Sequence, residues 1–368
     1  MAVPRQGSSS RDAHRVCERH ERNVTNRPVF IVGCPRSGTT FLYDLLLSSG
    51  KFALYRAESD VFFRIAPAFG SLRSLRNRTK LMDSWINSDY FCRSGLNADE
   101  LREEVLSECR NPGDFLRIVM EGMARRQGVH RWADNTPFHV LFMADIKKTI
   151  PNALFVHMIR DGRDVAVSLN RMKWPYCFPW DLKNRLAVSG LYWKWLVSEG
   201  RGFGRKLGSD YLEVRYESLV GRPREIIATL SEFIGDELNY EDIQKNAVGT
   251  VSKPNSSFPF TGKLRSIGRW KNLSDAEGVS LATLLSPLLT DLGYEARISG
   301  APFLAWRLKM SYLPYWWLRQ KKIKQSPLAR FLVSRDKLEL GALDRVDARW
   351  EEIRTGVTDA RPKNSEES

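Results

Sequence analysis

Three segments of this 368-residue chain predict an α/β fold, with a P-loop-like central parallel sheet flanked by helices. Residues 29–32, Val-Phe-Ile-Val, form a short β-rich run ending at Gly33. A Gly/Pro/Ser/Thr turn then leads to Phe41, Leu42, Leu45, Leu46 and Leu47 at helical spacing. Residues 153–159 form a second run, followed by a polar turn and a helical stretch over 164–172. Residues 211–216 form a third, entering a helix through Gly221-Arg222-Pro223, where proline suits the first helical position. Strands alternating with helices build a parallel sheet covered on both faces.

The elements between these fit the same plan. Residues 58–126 are helical in pattern and rich in Arg and aromatics. Residues 184–198 read as a helix whose Trp193 and Trp195 are packing residues, and His157 reads as a core residue of the second strand. Trp174-Pro175-Tyr176 is either part of a substrate-pocket wall, if the chain has one, or a loop anchor, and 252–262 is a loop. Residues 1–27 are polar and basic without an apolar core, and read as a flexible leader rather than a secretory signal. A single main domain is expected over 28–295, a basic, aromatic helical extension over 296–358 and a disordered tail over 359–368.

Hydrophobic residues at 42% and charged residues at 27% exclude wholesale disorder and a coiled-coil rod. No apolar run is long enough to span a bilayer. Cys17, Cys34, Cys92, Cys109 and Cys177 form no C-x-x-C pair, which argues against a disulfide scaffold and a structural zinc site. Fifty-seven Lys and Arg against 43 Asp and Glu give a net charge of +14, which attracts anions of some kind.

The location of the glycines narrows the anion. Gly33-Cys34-Pro35-Arg36-Ser37-Gly38-Thr39-Thr40 lies between a strand and a helix with phosphate-loop spacing. Its backbone N–H groups and the helix dipole converge on one anion, and Thr39 and Thr40 add hydroxyls. A nucleotide triphosphatase carries a lysine after the second glycine; here that position is Thr39, and the cation, Arg36, lies inside the loop. No strand ending in an aspartate in a magnesium-binding role is recognised. Arg160 follows the second strand and Ser168 lies in the next helix, so an arginine fork and a hydroxyl form a second anion site on the same sheet edge.

Four segments in order carry a resemblance. Residues 35–40 resemble the 5′-phosphosulfate loop of sulfotransferases, and Arg160 with Ser168 resembles their 3′-phosphate motif. Arg215-Tyr216-Glu217-Ser218-Leu219 resembles the family's R-Y-E-x-L segment. Ser266-Ile267-Gly268-Arg269-Trp270-Lys271-Asn272 resembles its G-x-W-K-N segment. The chain is identified by this as similar to the bacterial-type and tyrosylprotein-like branch. The resemblance implies 3′-phosphoadenosine 5′-phosphosulfate (PAPS) as donor, no metal, and a hydroxyl-bearing acceptor such as a carbohydrate, a lipid-like or other small molecule, or a protein tyrosine. It implies that Arg36, Ser37, Gly38, Thr39 and Thr40 hold the 5′-phosphosulfate, and that Arg160 and Ser168, with Lys263, Arg265, Gly268, Arg269 and Trp270, surround the 3′-phosphate. Tyr216 and Phe41 then face the adenine.

The resemblance also frames the base. The family's K-T-H stretch corresponds to residues 132–137, where Asn135 replaces the lysine and the histidine is absent; His139 reads as a helix-face residue. Glu58 is the candidate catalytic base, with Asp60 and Asp134 as alternates and a helix cap as Glu58's competing role; Arg36 is the candidate stabiliser of the leaving phosphate. Two other functions compete: a kinase-like P-loop enzyme, against which Thr39 argues, and a non-catalytic nucleic-acid binder, for which no motif is present. Residues 296–335 carry nine Lys and Arg, no Asp or Glu, and seven aromatics. They either pack on the catalytic domain or meet an anionic membrane peripherally. The expected location is cytoplasmic, with peripheral membrane contact through this stretch as the alternative.

Overall fold

The computed structural model describes residues 26–173, 181–246, 267–298 and 302–317. Nearly all of the leader, the 252–262 loop, Lys263, Arg265, the 174–176 segment and the chain beyond 317 lie outside the described residues.

Four strands, β1 (Val29–Gly33), β2 (Ala133–Asp134), β3 (Leu154–Ile159) and β4 (Tyr211–Arg215), form one parallel sheet in the order β2-β1-β3-β4. Val29 pairs with Leu154 and Gly33 with Met158, while Ile159 pairs with Arg215, so the strand ends line up along one edge. Strand side chains alternate between faces. Phe30, Val32 and Phe155 accordingly enter one core, and Val29, Ile31, Val156 and Met158 enter the other. Both faces of β1, β2 and β3 are buried, as the continuous apolar runs predict, and the edge strand β4 is half-buried.

The helices begin where capping chemistry allows. The helix α1 (Thr39–Ser48) starts from Gly38. The region after residue 58 opens on a π-helical turn, Val61–Ile65, and then continues as α2 (Leu75–Ile86), α3 (Ala98–Glu108) and α4 (Pro112–Arg126). Asn97 caps α3, and Asn111 with Asp114 forms a capping box for α4. Next come α5 (Gly162–Arg171), α6 (Arg185–Gly204) and α7 (Pro223–Ile234), with proline at the first turn of α7 and Gly235 ending it. The last two are α8 (Asp275–Leu285), capped by Ser274 and Glu277, and α9 (Pro302–Trp317).

Three sequence expectations need correction. β2 was not anticipated, because two residues carry no periodicity; only its parallel pairing to Val29 and Phe30 defines it. It ends in Asp134, whose two oxygens are engaged by Thr136 and His139. His139 is no helix-face residue: it is fully buried in a 3₁₀ turn, Pro137–Leu141. A smaller difference is that the third strand stops at Arg215 and Tyr216 opens a short helix, Tyr216–Gly221. Trp193 and Trp195 are buried packing residues as expected. His157 is buried on β3, with Nδ1 2.6 Å from the Tyr211 hydroxyl.

The start of α5 is packed without slack against α6. A Cβ placed on Gly162 would lie 2.4 Å from the Trp193 ring, and that ring is fully buried. Gly162→Ala should therefore destabilise the protein by about 1–3 kcal/mol through overpacking. Urea unfolding would read this as a lower midpoint at unchanged slope; an unchanged midpoint would mean the helices approach less closely than described.

Candidate active site

All candidate groups leave the carboxyl edge of the sheet, where ligands bind in open α/β folds. Gly33 ends β1, Asp134 ends β2, Arg160 follows β3 and Tyr216 follows β4. The phosphate loop turns tightly, with the Ser37 N–H donating to the Cys34 carbonyl at 3.1 Å. Gly38 sits at φ +97°, and a Cβ there would lie 2.4 Å from the Tyr216 ring, so only glycine admits both the turn and that ring. Arg36 takes φ +73°, a costly backbone state for a residue with a side chain, and it sits inside the loop.

The Arg36 guanidinium donates from Nε to Ser168 Oγ at 3.1 Å. Arg160 donates from a terminal nitrogen to the Arg36 carbonyl at 3.0 Å, and its guanidinium lies 4.7 Å from the centre of the Tyr216 ring. Burial first, then the charges of Arg160 and Arg269, push the Arg36 pKa down. Three cations thus share one half-buried site, and among the described residues Arg36 has no carboxylate within ion-pair distance. Ser37 Oγ is buried there without a hydrogen-bond partner among the described residues. Thr39 is buried, and Thr40 is exposed at the helix start. Phe41 is buried beside Tyr216, the ring centres being 6.1 Å apart at a steep angle.

The late segment is tied to the same place by a residue that sequence reasoning missed. The Asp164 carboxylate accepts from the Gly268 N–H at 2.7 Å and the Trp270 N–H at 3.0 Å, and lies 3.8 Å from Arg160. Arg163, held by Asp161 at 2.7 Å, places its guanidinium 3.8 Å from the centre of the Trp270 ring. Glu217 accepts from the Asp161 N–H at 2.9 Å and from the Tyr294 hydroxyl at 2.9 Å, which locks the segment after β4 to the start of α5. The available signal for Asp164 was its position four residues after Arg160 in a first helical turn. A cavity of about 790 Å³ lies behind this contact, lined among others by Arg163, Trp270 and Tyr294; it includes no phosphate-loop residue and not Glu58.

The three carboxylates weighed as bases come together across nearly eighty residues of sequence, with distinct surroundings. Asp134 is fully engaged: one oxygen is 2.7 Å from His139 Nδ1 and the other accepts from Thr136 at 3.2 Å. Thr136 Oγ1 in turn accepts from the Ser59 N–H at 2.9 Å, which fixes the residue next to Glu58. Asp60, at φ +54°, accepts from the Tyr90 hydroxyl at 2.8 Å and pairs with Arg64 at 3.5 Å. Glu58 makes no hydrogen bond to a described side chain or backbone group and caps no helix. Its side chain remains open to solvent, yet it lies in a recess with protein on most sides. That crowding first, and then the charges of Asp60 and Asp134, raise its carboxyl to about 8. Asn135, standing where the family lysine is expected, is buried with its carbonyl oxygen unpartnered among the described residues.

The sequence pattern of the Sulfotransferase family matches residues 28–251. Protein-tyrosine sulfotransferase A of Caenorhabditis elegans is 23% identical over 302 residues, which cover 74% of this chain and 68% of that protein. The sulfotransferase domain of the Synechococcus PCC 7002 olefin synthase superposes with a TM-score of 0.50 at 17% identity, covering 74% of this chain and 97% of that one. The sulfotransferase domain from the curacin biosynthetic pathway gives 0.52 at 16% identity, covering 74% and 99%. At such identities the two structures show a shared fold. The pattern spans more than half of the chain and includes the phosphate loop, Arg160 and Ser168. The chain belongs to the sulfotransferase family, whose members move a sulfuryl group from PAPS to an acceptor hydroxyl.

Proposed function

We propose that this chain binds PAPS at the guanidinium cluster and uses Glu58 to deprotonate the acceptor hydroxyl. The observation that carries this reading is the pairing of two opposite fields on one sheet edge. Arg36, Arg160 and Arg269 crowd one side, and an unpaired carboxyl with a raised pKa occupies the other. The donor-side residues fit a bisphosphorylated ligand: three cations raise one another's free energy until an anion enters, and the buried Ser37 hydroxyl waits for a partner.

In this reading Ser37, Gly38, Thr39 and Thr40 hold the 5′-phosphosulfate end with Arg36, and Arg160 and Ser168 hold the 3′-phosphate. Gly268, Arg269 and Trp270 cover that phosphate, with Lys263 and Arg265 assigned there by likeness to the family. Tyr216 and Phe41 flank the adenine. The donor supplies the sulfuryl group and departs as the 3′,5′-bisphosphate. Glu58 takes the acceptor's proton, and Arg36 balances the charge that grows on the leaving phosphate oxygen. The acceptor oxygen gains the bond to sulfur as the phosphate oxygen loses it. Tyrosine-bearing peptides head the acceptor screen, because a similar protein is named a protein-tyrosine sulfotransferase. Labelled PAPS offered with peptides, glycans and lipids tests the whole scheme; no labelled product from any class would overturn it.

Three outcomes follow from the residue roles. Arg160→Ala should weaken binding of 3′-phosphoadenosine 5′-phosphate about 10- to 100-fold in calorimetry, the loss of a charge-assisted contact. Glu58→Gln should retain that binding while turnover falls ~10²–10⁴-fold. The pH profile carries a sign. A base acts only when deprotonated, so kcat/KM should climb with pH through a limb near 8, the raised value of Glu58. Asp134→Asn removes one of the negative charges that raise it, so the limb should move toward acid. A limb that stays in place would assign the base elsewhere.

A further inference from the structure

We propose that the outward face of α9 docks on the surface of an anionic lipid bilayer. Among the described residues, the helix buries one apolar face and leaves a second one exposed. Leu308, Tyr312 and Trp316 are buried, with the Trp316 ring centre 5.0 Å from that of Tyr192 and stacked 5.9 Å from that of Trp195, both on α6. The Tyr312 hydroxyl anchors the same face by donating to Asp181 at 2.8 Å. On the opposite side Phe303, Trp306, Met310 and Trp317 are 70%, 58%, 56% and 40% exposed. Their spacing of three, four and seven residues places them within about 60° of arc at 3.6 residues per turn.

Scattered exposed apolar residues need no explanation, but a stripe does. Among the described residues seven large hydrophobics are strongly exposed, and these four stand on one helix. The exposed cations Arg307 and Lys309 flank the stripe on its two sides. The sequence directly after the helix adds Arg319, Lys321, Lys322 and Lys324, and no Asp or Glu occurs between residues 296 and 335. Aromatic and thioether side chains in a row, bordered by cations with no acid among them, suit the headgroup boundary of an acidic membrane.

Charge and length choose this occupant over others. A second copy would bring the same basic segment and the same +14 net charge to the contact. A single-stranded nucleic acid would want its aromatics in a groove, whereas Phe303, Trp306 and Trp317 stand on a convex helix. The helix is about 24 Å long at 1.5 Å per residue, short of a bilayer's hydrocarbon core, and it carries Arg307 and Lys309. It lies on the membrane and does not cross it. No described helix is long and apolar enough to cross. Membrane docking goes beyond sulfuryl transfer and does not depend on it.

The test is sedimentation of the full chain with vesicles of phosphatidylcholine containing phosphatidylserine, compared with phosphatidylcholine alone. Binding to the acidic vesicles at low salt, weakened by added salt, is expected. The triple variant Trp306→Ser, Met310→Ser, Trp317→Ser should lower the partition coefficient at least about tenfold. It should still bind 3′-phosphoadenosine 5′-phosphate, which verifies its fold independently of the membrane. Vesicles with brominated acyl chains give a second reading on the unsubstituted protein: tryptophan fluorescence should be partly quenched. Intact protein left in the supernatant at low salt would overturn the proposal, as would a triple variant that binds like the parent. A dimer that the triple variant abolishes, without vesicle binding, would give the face to a second copy and overturn it equally.

Discussion

Guanidinium groups held together in a half-buried site repel one another, and much of the catalytic domain is arranged to hold that repulsion. Arg36 is forced into a left-handed backbone so that its side chain emerges inside the phosphate loop. Arg160 is pinned to the Arg36 carbonyl and lies against the face of Tyr216, whose ring fits only because residue 38 lacks a Cβ. Asp164 gives partial compensation near Arg160 and spends both oxygens on the backbone of residues 268 and 270. A single acid therefore does two jobs, steadying a cation and fastening the segment that brings Arg269 to the site. The shared edge of four parallel strands makes such gathering possible, since each strand end delivers one piece.

The acid side mirrors this with the opposite sign. β2 is two residues long, yet its pairing to β1 sets Asp134 level with Phe30 and beside the loop that carries Glu58. The chain from His139 through Asp134 and Thr136 to the Ser59 N–H is a line of buried hydrogen bonds that fixes the backbone next to Glu58. Asp60 is committed to Tyr90 and Arg64. Three carboxylates in one recess cannot all ionise at low cost. Burial raises the Asp60 carboxyl too, against its contacts with Tyr90 and Arg64, whereas Glu58 has no such contact among the described residues. Crowding by the surrounding protein and then the charges of Asp60 and Asp134 give Glu58 a raised pKa, which suits the base role proposed for it.

The strand–loop–helix frame of the proposed donor side was legible in the sequence because its constraints are local. A strand, a glycine turn and a helix start must lie within a dozen residues, and Arg160 with Ser168 within one strand–helix junction. Spacing carries that information directly. β2, the burial of His139 and the anchoring role of Asp164 were illegible for the opposite reason: each is defined by a partner about a hundred residues away or by a register, and none leaves a period. Phe30 opposite Asp134, and Asp164 bonded to residues 268 and 270, are facts of tertiary packing. The choice among Glu58, Asp60 and Asp134 was likewise undecidable from residue type, because all three are acids near the same loop. Among the described residues Asp60 and Asp134 are hydrogen-bonded and Glu58 is not, which supports proposing Glu58.

Composition alone also could not divide the aromatics of α9 between packing and exposure, and the structure assigns them to both. A helix turning 100° per residue sends Tyr312 and Trp316 inward and Trp306 and Met310 outward, so one sequence serves two surfaces. The inward set continues into the catalytic domain as a ladder of rings. Trp316 meets Tyr192, Tyr192 meets Phe138 at 6.5 Å, and Phe138 meets Phe63 at 5.2 Å. Phe63 lies in the π-helical turn that follows Glu58, and Phe138 neighbours His139. The helix with the exposed stripe and the segment with the unpaired carboxyl are therefore parts of one packed block. A surface held by the stripe would have a fixed geometry relative to Glu58, because a close-packed aromatic core deforms little.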